Sequence, residues 1–401
     1  MNGIRTALIR NTAARRVGIR GVLVRGAVLT ALALAATFAL DPYRNFQLAT
    51  IAATFCATAG LTVLVGWTGQ LSLGHAALMA AGGYGYALTA RALTEVGVGG
   101  APRFLLSLLA AVLLAAAVGW LLGLAAARLR GPYLAGVTLA VVIALPAVAT
   151  VFSPVLRGDQ GLQIRPDPVP SALASIMVLE QWQAWVAILV TGIVVTSLVA
   201  VCRGRWGLWM RAVRDDETAA RISGIRSGRV KVGAFALSAV TAGVGGALLC
   251  FVTQSVSPGA YTLAFSLLLV VAVVVGGLGS VGGAAIGAAL IVLVPWVLGT
   301  LTASLPAEAA QRLSGNLPVL VFGALLTVMI LVRPGGLASL RPRRRRAPGS
   351  AAPASDIPAA TVAERSASAS VAPAPAASAH RAADEAAVPA SLPTRTPDRK
   401  R

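Results

Sequence analysis

The sequence predicts an all-α protein, a polytopic bundle of about ten transmembrane helices. Three observations carry that prediction. The 401 residues are 57% hydrophobic and only 12% charged, where soluble chains carry about 25% charged residues. Apolar runs recur along most of the chain, and ~20 apolar residues at ~1.5 Å each span a ~30 Å hydrocarbon core. The basic residues collect at the two ends and in one central loop. A soluble protein this apolar would need an interior larger than its length allows. Hydrocarbon removes that need, because a spanning helix satisfies its own backbone and requires no polar surface. Aromatics are 5% and glycines number 42, which suits helices packed closely through small residues.

The expected spans lie near 21–40, 46–66, 74–93, 104–127, 133–153, 184–202, 233–253, 264–277, 283–299 and 317–333. An Arg-rich arm, 1–20, precedes the apolar run from Gly26 to Leu40. So many apolar segments follow that this run reads as the first span, uncleaved, and not as a leader. The stretch 264–299 is 36 residues of apolar sequence. As one helix it would be ~54 Å long, too much for a ~30 Å core. It should break at Gly276-Gly277-Leu278-Gly279-Ser280-Val281-Gly282-Gly283, the first pass being short or re-entrant. Gly279, Gly283 and Gly287, spaced by four, are expected on one helix face as a packing site for a neighbouring span. The spans make one domain, 21–333. Beyond it the composition turns to Ala, Pro, Ser and Arg, so 334–401 is expected to be a disordered cytoplasmic tail. Its run Arg343-Arg344-Arg345-Arg346 reads as a positive-inside anchor or a contact for anionic membrane lipid.

Ten spans put both termini on one side. That side then holds 28 of the 34 basic residues; the other keeps Arg44, Arg91, Arg103, Arg157, Arg165 and Arg312. Basic loops stay inside, so both termini and the loop 203–231 are expected in the cytoplasm of a multi-pass protein of the bacterial inner membrane. The same placement accounts for the net charge of +20 without nucleic acid as a partner.

Enzymatic readings find little support. Gly277-Leu278-Gly279-Ser280-Val281-Gly282 fits G-x-G-x-x-G, but a membrane helix precedes it and the next carboxylate is Glu308; a dinucleotide site needs a strand before and an acid ~20 residues on. No G-x-x-x-x-G-K-[ST] occurs, so no P-loop hydrolyses ATP here. Cys56, Cys202 and Cys250 lack metal-ligand spacing and read as small hydrophobes. His75 stands at the start of the third span, more in keeping with a structural role than a ligand. No metal or cofactor is expected. No carboxylate falls mid-span, where an ion-coupled pump keeps its relay. That points to a path moved by an outside motor.

The loop 203–231 is the most informative polar segment. Leu208, Ala212, Ala219 and Ile222 recur at roughly helical spacing, and Gly224 suits a C-cap. A short amphipathic helix of mixed charge fits a partner's groove, or lies solvated at the interface.

Gly66-Trp67-Thr68-Gly69-Gln70-Leu71-Ser72-Leu73-Gly74-His75-Ala76 resembles the G-x-x-G-Q-x-S-L-G-H-A signature of branched-chain amino acid importer permeases of the ATP-binding cassette class. Ala212-Val213-Arg214-Asp215-Asp216-Glu217-Thr218-Ala219-Ala220, with Gly224-Ile225 after it, is similar to that family's coupling loop. Lys231-Val232, Val256-Ser257-Pro258 and Gly276-Gly277-Leu278-Gly279-Ser280 follow in family order, so that matches cover about 46 to 337. Two departures stand out. Thr218 replaces the Glu of the general E-A-A-x-x-x-G loop, and the outer loop reads Arg157-Gly158-Asp159-Gln160-Gly161-Leu162. The resemblance implies a type II importer-like architecture with a second homologous permease subunit, two ATPase subunits and an extracytoplasmic substrate-binding protein. It implies ATPase coupling through Arg211, Arg214, Asp216, Glu217, Ala219, Ala220 and Gly224. Gln70, Ser72 and His75 would then contribute to the inner mouth of the translocation path, with no metal bound. The nearer alternative is a permease of the same superfamily for urea, short amides or sugars. The farther one, an intramembrane enzyme, lacks the convergent carboxylates, His or metal ligands it would need.

Overall fold

The computed structural model describes residues 20–129, 131–171, 173–302, 307–332 and 336–337. The arm before Arg20 and nearly all of the 334–401 tail, including the arginine run, lie outside the described residues.

Ten long helices fall on the ten expected spans. They are α1 (Arg20–Ala39), α2 (Pro42–Thr68), α3 (His75–Glu95), α4 (Gly100–Arg128), α5 (Pro132–Val151), α7 (Leu179–Arg203), α10 (Ser227–Thr253), α11 (Leu263–Gly276), α12 (Val281–Thr302) and α13 (Ala307–Val332). Between them lie a one-turn helix α6 (Ser153–Leu156) and two short helices, α8 (Arg205–Asp215) and α9 (Glu217–Ile222). Among the described residues, eight helices are long and apolar enough to cross a membrane; α3 and α13 fall outside that set. α3 carries His75, Tyr84, Tyr86, Arg91 and Glu95. It packs between α10 and α4 and buries most of its length. A helix enclosed by protein has no hydrocarbon to satisfy, so its apolar signal is weak.

α10 is the centre, packed on α2, α3, α4 and α7. Its contact faces are Ala and Gly, and the neighbours come close. A Cβ on Gly246 would stand 1.8 Å from the Met79 carbonyl oxygen of α3, and one on Gly245 2.6 Å from that of Ala53 in α2. Without side chains between them, backbones pack through many short-range contacts, the main attraction available in a solvent as apolar as the helices. The peripheral faces are the reverse: Leu105, Leu109, Leu113 and Leu121 of α4 point outward, as lipid-facing side chains do.

The 264–299 stretch breaks within the expected glycine run. α11 stops at Gly276, and Gly277 and Gly279 turn the chain with φ of 112° and 81°, a region that side chains disfavour. Gly283 and Gly287 then lie on α12 against α11, where their Cβ atoms would meet the carbonyl oxygens of Gly276 at 2.0 Å and Ala272 at 2.3 Å. Gly279 is not on that face. The helix begins at Val281, so Gly279 sits in the turn, where its backbone meets Gly66 at the end of α2.

At the end of the bundle away from α8 and α9, the loop from Phe152 to Val178 folds back over the helices. Its strand β1 (Leu162–Gln163) pairs antiparallel with β2 (Ser255–Val256), Leu162 opposite Val256. Asp167 closes a nearly buried ion pair with Arg103 at 2.9 Å and accepts the Gly100 N–H at 2.9 Å. Arg103 also donates to Thr94 Oγ1 and the Arg165 carbonyl. The loop is thereby tied to the α3–α4 turn.

Candidate functional site

α7 runs straight into the charged insert, with one extended glycine, Gly204, between Arg203 and α8. The expected single amphipathic helix is two helices. Asp216 is extended (φ −156°) and caps α9, its Oδ1 accepting the N–H of Thr218 at 2.8 Å and of Ala219 at 3.0 Å. An Asp with backbone donors ahead of it ends one helix and starts the next. The buried stripe also differs from the expected one. Gly207, Met210 and Val213 face inward, while Leu208 is 50% and Ile222 84% exposed.

α8 is keyed onto the end of α2. Gly207 abuts the Trp67 ring, Arg211 stacks over that ring at 4.9 Å, and Arg214 donates to the Gly66 carbonyl. The Trp67 indole N–H in turn donates to the Gly279 carbonyl at 3.0 Å. One tryptophan therefore joins α8, α2 and the α11–α12 turn. Trp67 stands in the motif that carries the resemblance, but its cation–π partner Arg211 lies far along the chain, so the pairing is not readable from periodicity.

Glu217 and Ala220 serve the chain's own fold. Ala220 is buried. Glu217 pairs with Arg221 one turn on and with Lys231 Nζ at 2.8 Å, at the start of α10. Burial pushes its carboxyl up, but hydrogen bonds from Lys231 and Ser227, the Lys231 charge and Arg221 outweigh that and bring it down to about 2. Gly224, at φ 81°, lets the Ile225 N–H reach back to the Ala220 carbonyl at 2.9 Å, a Schellman-type closure. Reversing Glu217 or inserting Asp at position 220 would thus disturb α9 itself, at two positions the resemblance assigns to ATPase coupling. We expect Lys231→Met to cost about 2 kcal/mol, the value of a charge-assisted hydrogen bond. A depressed carboxyl stabilises above its unfolded pKa, so the deficit against wild type should be full above pH ~4.5 and close as pH falls through about 2. Thermal unfolding in detergent across that range measures it.

The α2–α3 joint is stitched to two further helices. Gly69, at φ 69°, ends α2. The Leu73 N–H donates to Thr138 Oγ1 of α5 at 3.0 Å, and Ser266 of α11 donates to the Leu73 carbonyl. A cavity of about 700 Å³ opens between the joint, the α4–α5 turn and the α8–α9 insert; Gln70, Arg214, Glu217 and Lys231 border it. Ser72 and His75 do not border it and are fully buried. The Gln70 amide, the Ser72 hydroxyl and both His75 nitrogens have no hydrogen-bond partner. Among the described residues, no three His, Cys, Asp or Glu side chains gather as a metal site.

Long apolar helices around a core of glycine and alanine, with a charged two-helix insert seated on one end, are the build of a multi-pass membrane permease. The chain belongs to the branched-chain amino acid transport system permease component family, whose model matches residues 43–332. It is 30% identical over 314 residues to the high-affinity branched-chain amino acid transport system permease protein LivM of Escherichia coli K12, an alignment covering 73% of this chain and 69% of that protein. The LivM protein of Salmonella typhimurium is 29% identical over the same shares. No solved structure matches the chain.

Proposed function

We propose that this chain is the translocation subunit of an ATP-driven importer carrying branched-chain amino acids across the bacterial inner membrane. It pairs with a second related permease around a central path, two ATPase subunits dock on its cytoplasmic face, and an extracytoplasmic binding protein delivers the substrate. The observation that carries this reading is the seating of α8. The insert leaves Leu208 and Ile222 outward for a partner, while Trp67 ties its inner face to the turn between two membrane helices. Motion imposed on the insert from outside therefore has a route into the spans. Gln70, which borders the cavity, is assigned to the path together with Ser72 and His75, which the cavity in this structure does not reach. Unpartnered buried polar groups cost about 1–3 kcal/mol each, and such groups persist where something polar comes to meet them. Substrate identity rests on the relatives' names, and urea, short amides or sugars remain the alternative cargo.

Uptake of labelled leucine, isoleucine and valine by the reconstituted complex, with urea and a sugar as competitors, tests the cargo. ATP-dependent uptake inhibited by urea alone would reassign it. Orientation follows from the basic residues: reporters fused at Ser227 and at Ser350 should both read cytoplasmic. An outside reading at either position overturns the ten-pass arrangement.

A further inference from the structure

A groove of about 570 Å³ runs between α4 and α7, both of which pack on α10. Its walls are apolar: Phe104 and Leu108 from α4, Val186, Val190 and Ile193 from α7, and Phe251 of α10 between them. The walls are held in place. Phe104 and Phe251 stand edge to face with centroids 5.0 Å apart, and the Trp185 indole, also in the wall, donates to Thr37 Oγ1 at 2.8 Å. One end of the groove is polar. Asp167 borders it, already paired with Arg103. The Arg165 carbonyl accepts from the same Arg103 at 2.8 Å, which fixes the Arg165 main chain beside that end. Arg165 is exposed, and its guanidinium meets no acid or acceptor among the described residues.

We propose that this groove holds an acyl chain of a phospholipid, with Arg165 on the phosphate. The length suits a chain. From Trp182 to Val194 the α7 wall rises about 18 Å, close to the depth of one leaflet of a ~30 Å hydrocarbon core, and the lining over that length is apolar. A chain in the groove meets protein on three sides instead of one, so its dispersion contacts multiply. At the polar end, Asp167 is neutralised within the protein and Arg165 is not, which leaves a planar donor fork suited to a phosphate. Trp182 and Trp185 stand in the first turns of α7 by that end, the depth where tryptophan meets headgroups.

The test uses the full chain purified in mild detergent, stripped of lipid, then titrated with phosphatidylglycerol or with diacylglycerol of the same acyl chains under native mass spectrometry. Wild type should saturate with phosphatidylglycerol at one tight molecule per chain. Arg165→Gln should weaken it about tenfold, the value of a charged hydrogen bond, and leave diacylglycerol unchanged. Val190→Trp, which fills the groove, should remove both. Equal phosphatidylglycerol retention by wild type and Arg165→Gln overturns the proposal even if Val190→Trp fails to fold. So does efficient disulfide capture of Ile193→Cys by a second permease subunit, which would assign the groove to protein.

Discussion

Leu208→Glu together with Ile222→Glu is expected to leave the permease folded and to reduce ATPase retention and substrate-stimulated ATP hydrolysis at least tenfold. Ile222 is almost wholly exposed and Leu208 half exposed, so their loss removes little internal packing. Two carboxylates on a docking face would each oppose burial in a partner's groove, and a penalty of ~1.4 kcal/mol already shifts binding tenfold. The contrast with Glu217→Arg and Ala220→Asp is diagnostic. Those changes strike the Lys231 pair and a buried position, and should lower the melting temperature of the permease by itself. The proposed coupling role is lost if the outward double variant keeps its ATPases and turnover at wild-type level with an unchanged melting temperature.

Gly283→Leu should all but eliminate folded protein. Its Cβ would start 2.0 Å from the Gly276 carbonyl oxygen, and Gly276 meets the Gly283 backbone as closely in return. Both obstacles are main chain, so no rotamer relieves them; α11 and α12 must separate, at a cost of at least about 3 kcal/mol. Gly136→Leu in α5 is the matched control, since nothing lies within 4 Å of its Cβ. Yield of monodisperse protein in detergent, read by size-exclusion chromatography, should fall tenfold or more for the first variant and hold for the second. Normal yield of Gly283→Leu would mean that the two helices do not meet there.

Much of the fold was legible in the sequence because membrane helices announce themselves by length and apolarity, without any need of tertiary context. The break at Gly276–Gly283 followed from arithmetic on helix rise. What the sequence hid were contacts set by tertiary geometry. Leu208 and Ile222 fit one helical stripe by spacing, but Asp216 resets the helical phase between them, so spacing across it carries no facial information. Gly279 fits the i, i+4 series numerically yet lies before the helix starts. Arg103 and Asp167, 64 residues apart, look like scattered outer-loop charges until the loop folds back. Of the residues expected along the path, Gln70 borders the cavity and Ser72 and His75 are enclosed; a motif names residues but not which of them face open space.

The bond from Trp67 to Gly279 crosses 212 positions of sequence, and this imposes an order on synthesis. Ribosomes deliver roughly 5–20 residues per second, so α8 emerges and must wait roughly 3–13 seconds for the turn that completes its anchor. Until α11 and α12 have entered the bilayer, Trp67 can hold α8 through Arg211 but has no acceptor of its own at Gly279. The face proposed to receive the motor subunits is thus finished late in biogenesis. A nascent chain stalled before residue 279 would offer those subunits an unsecured insert, and assembly would favour chains whose final third has been made.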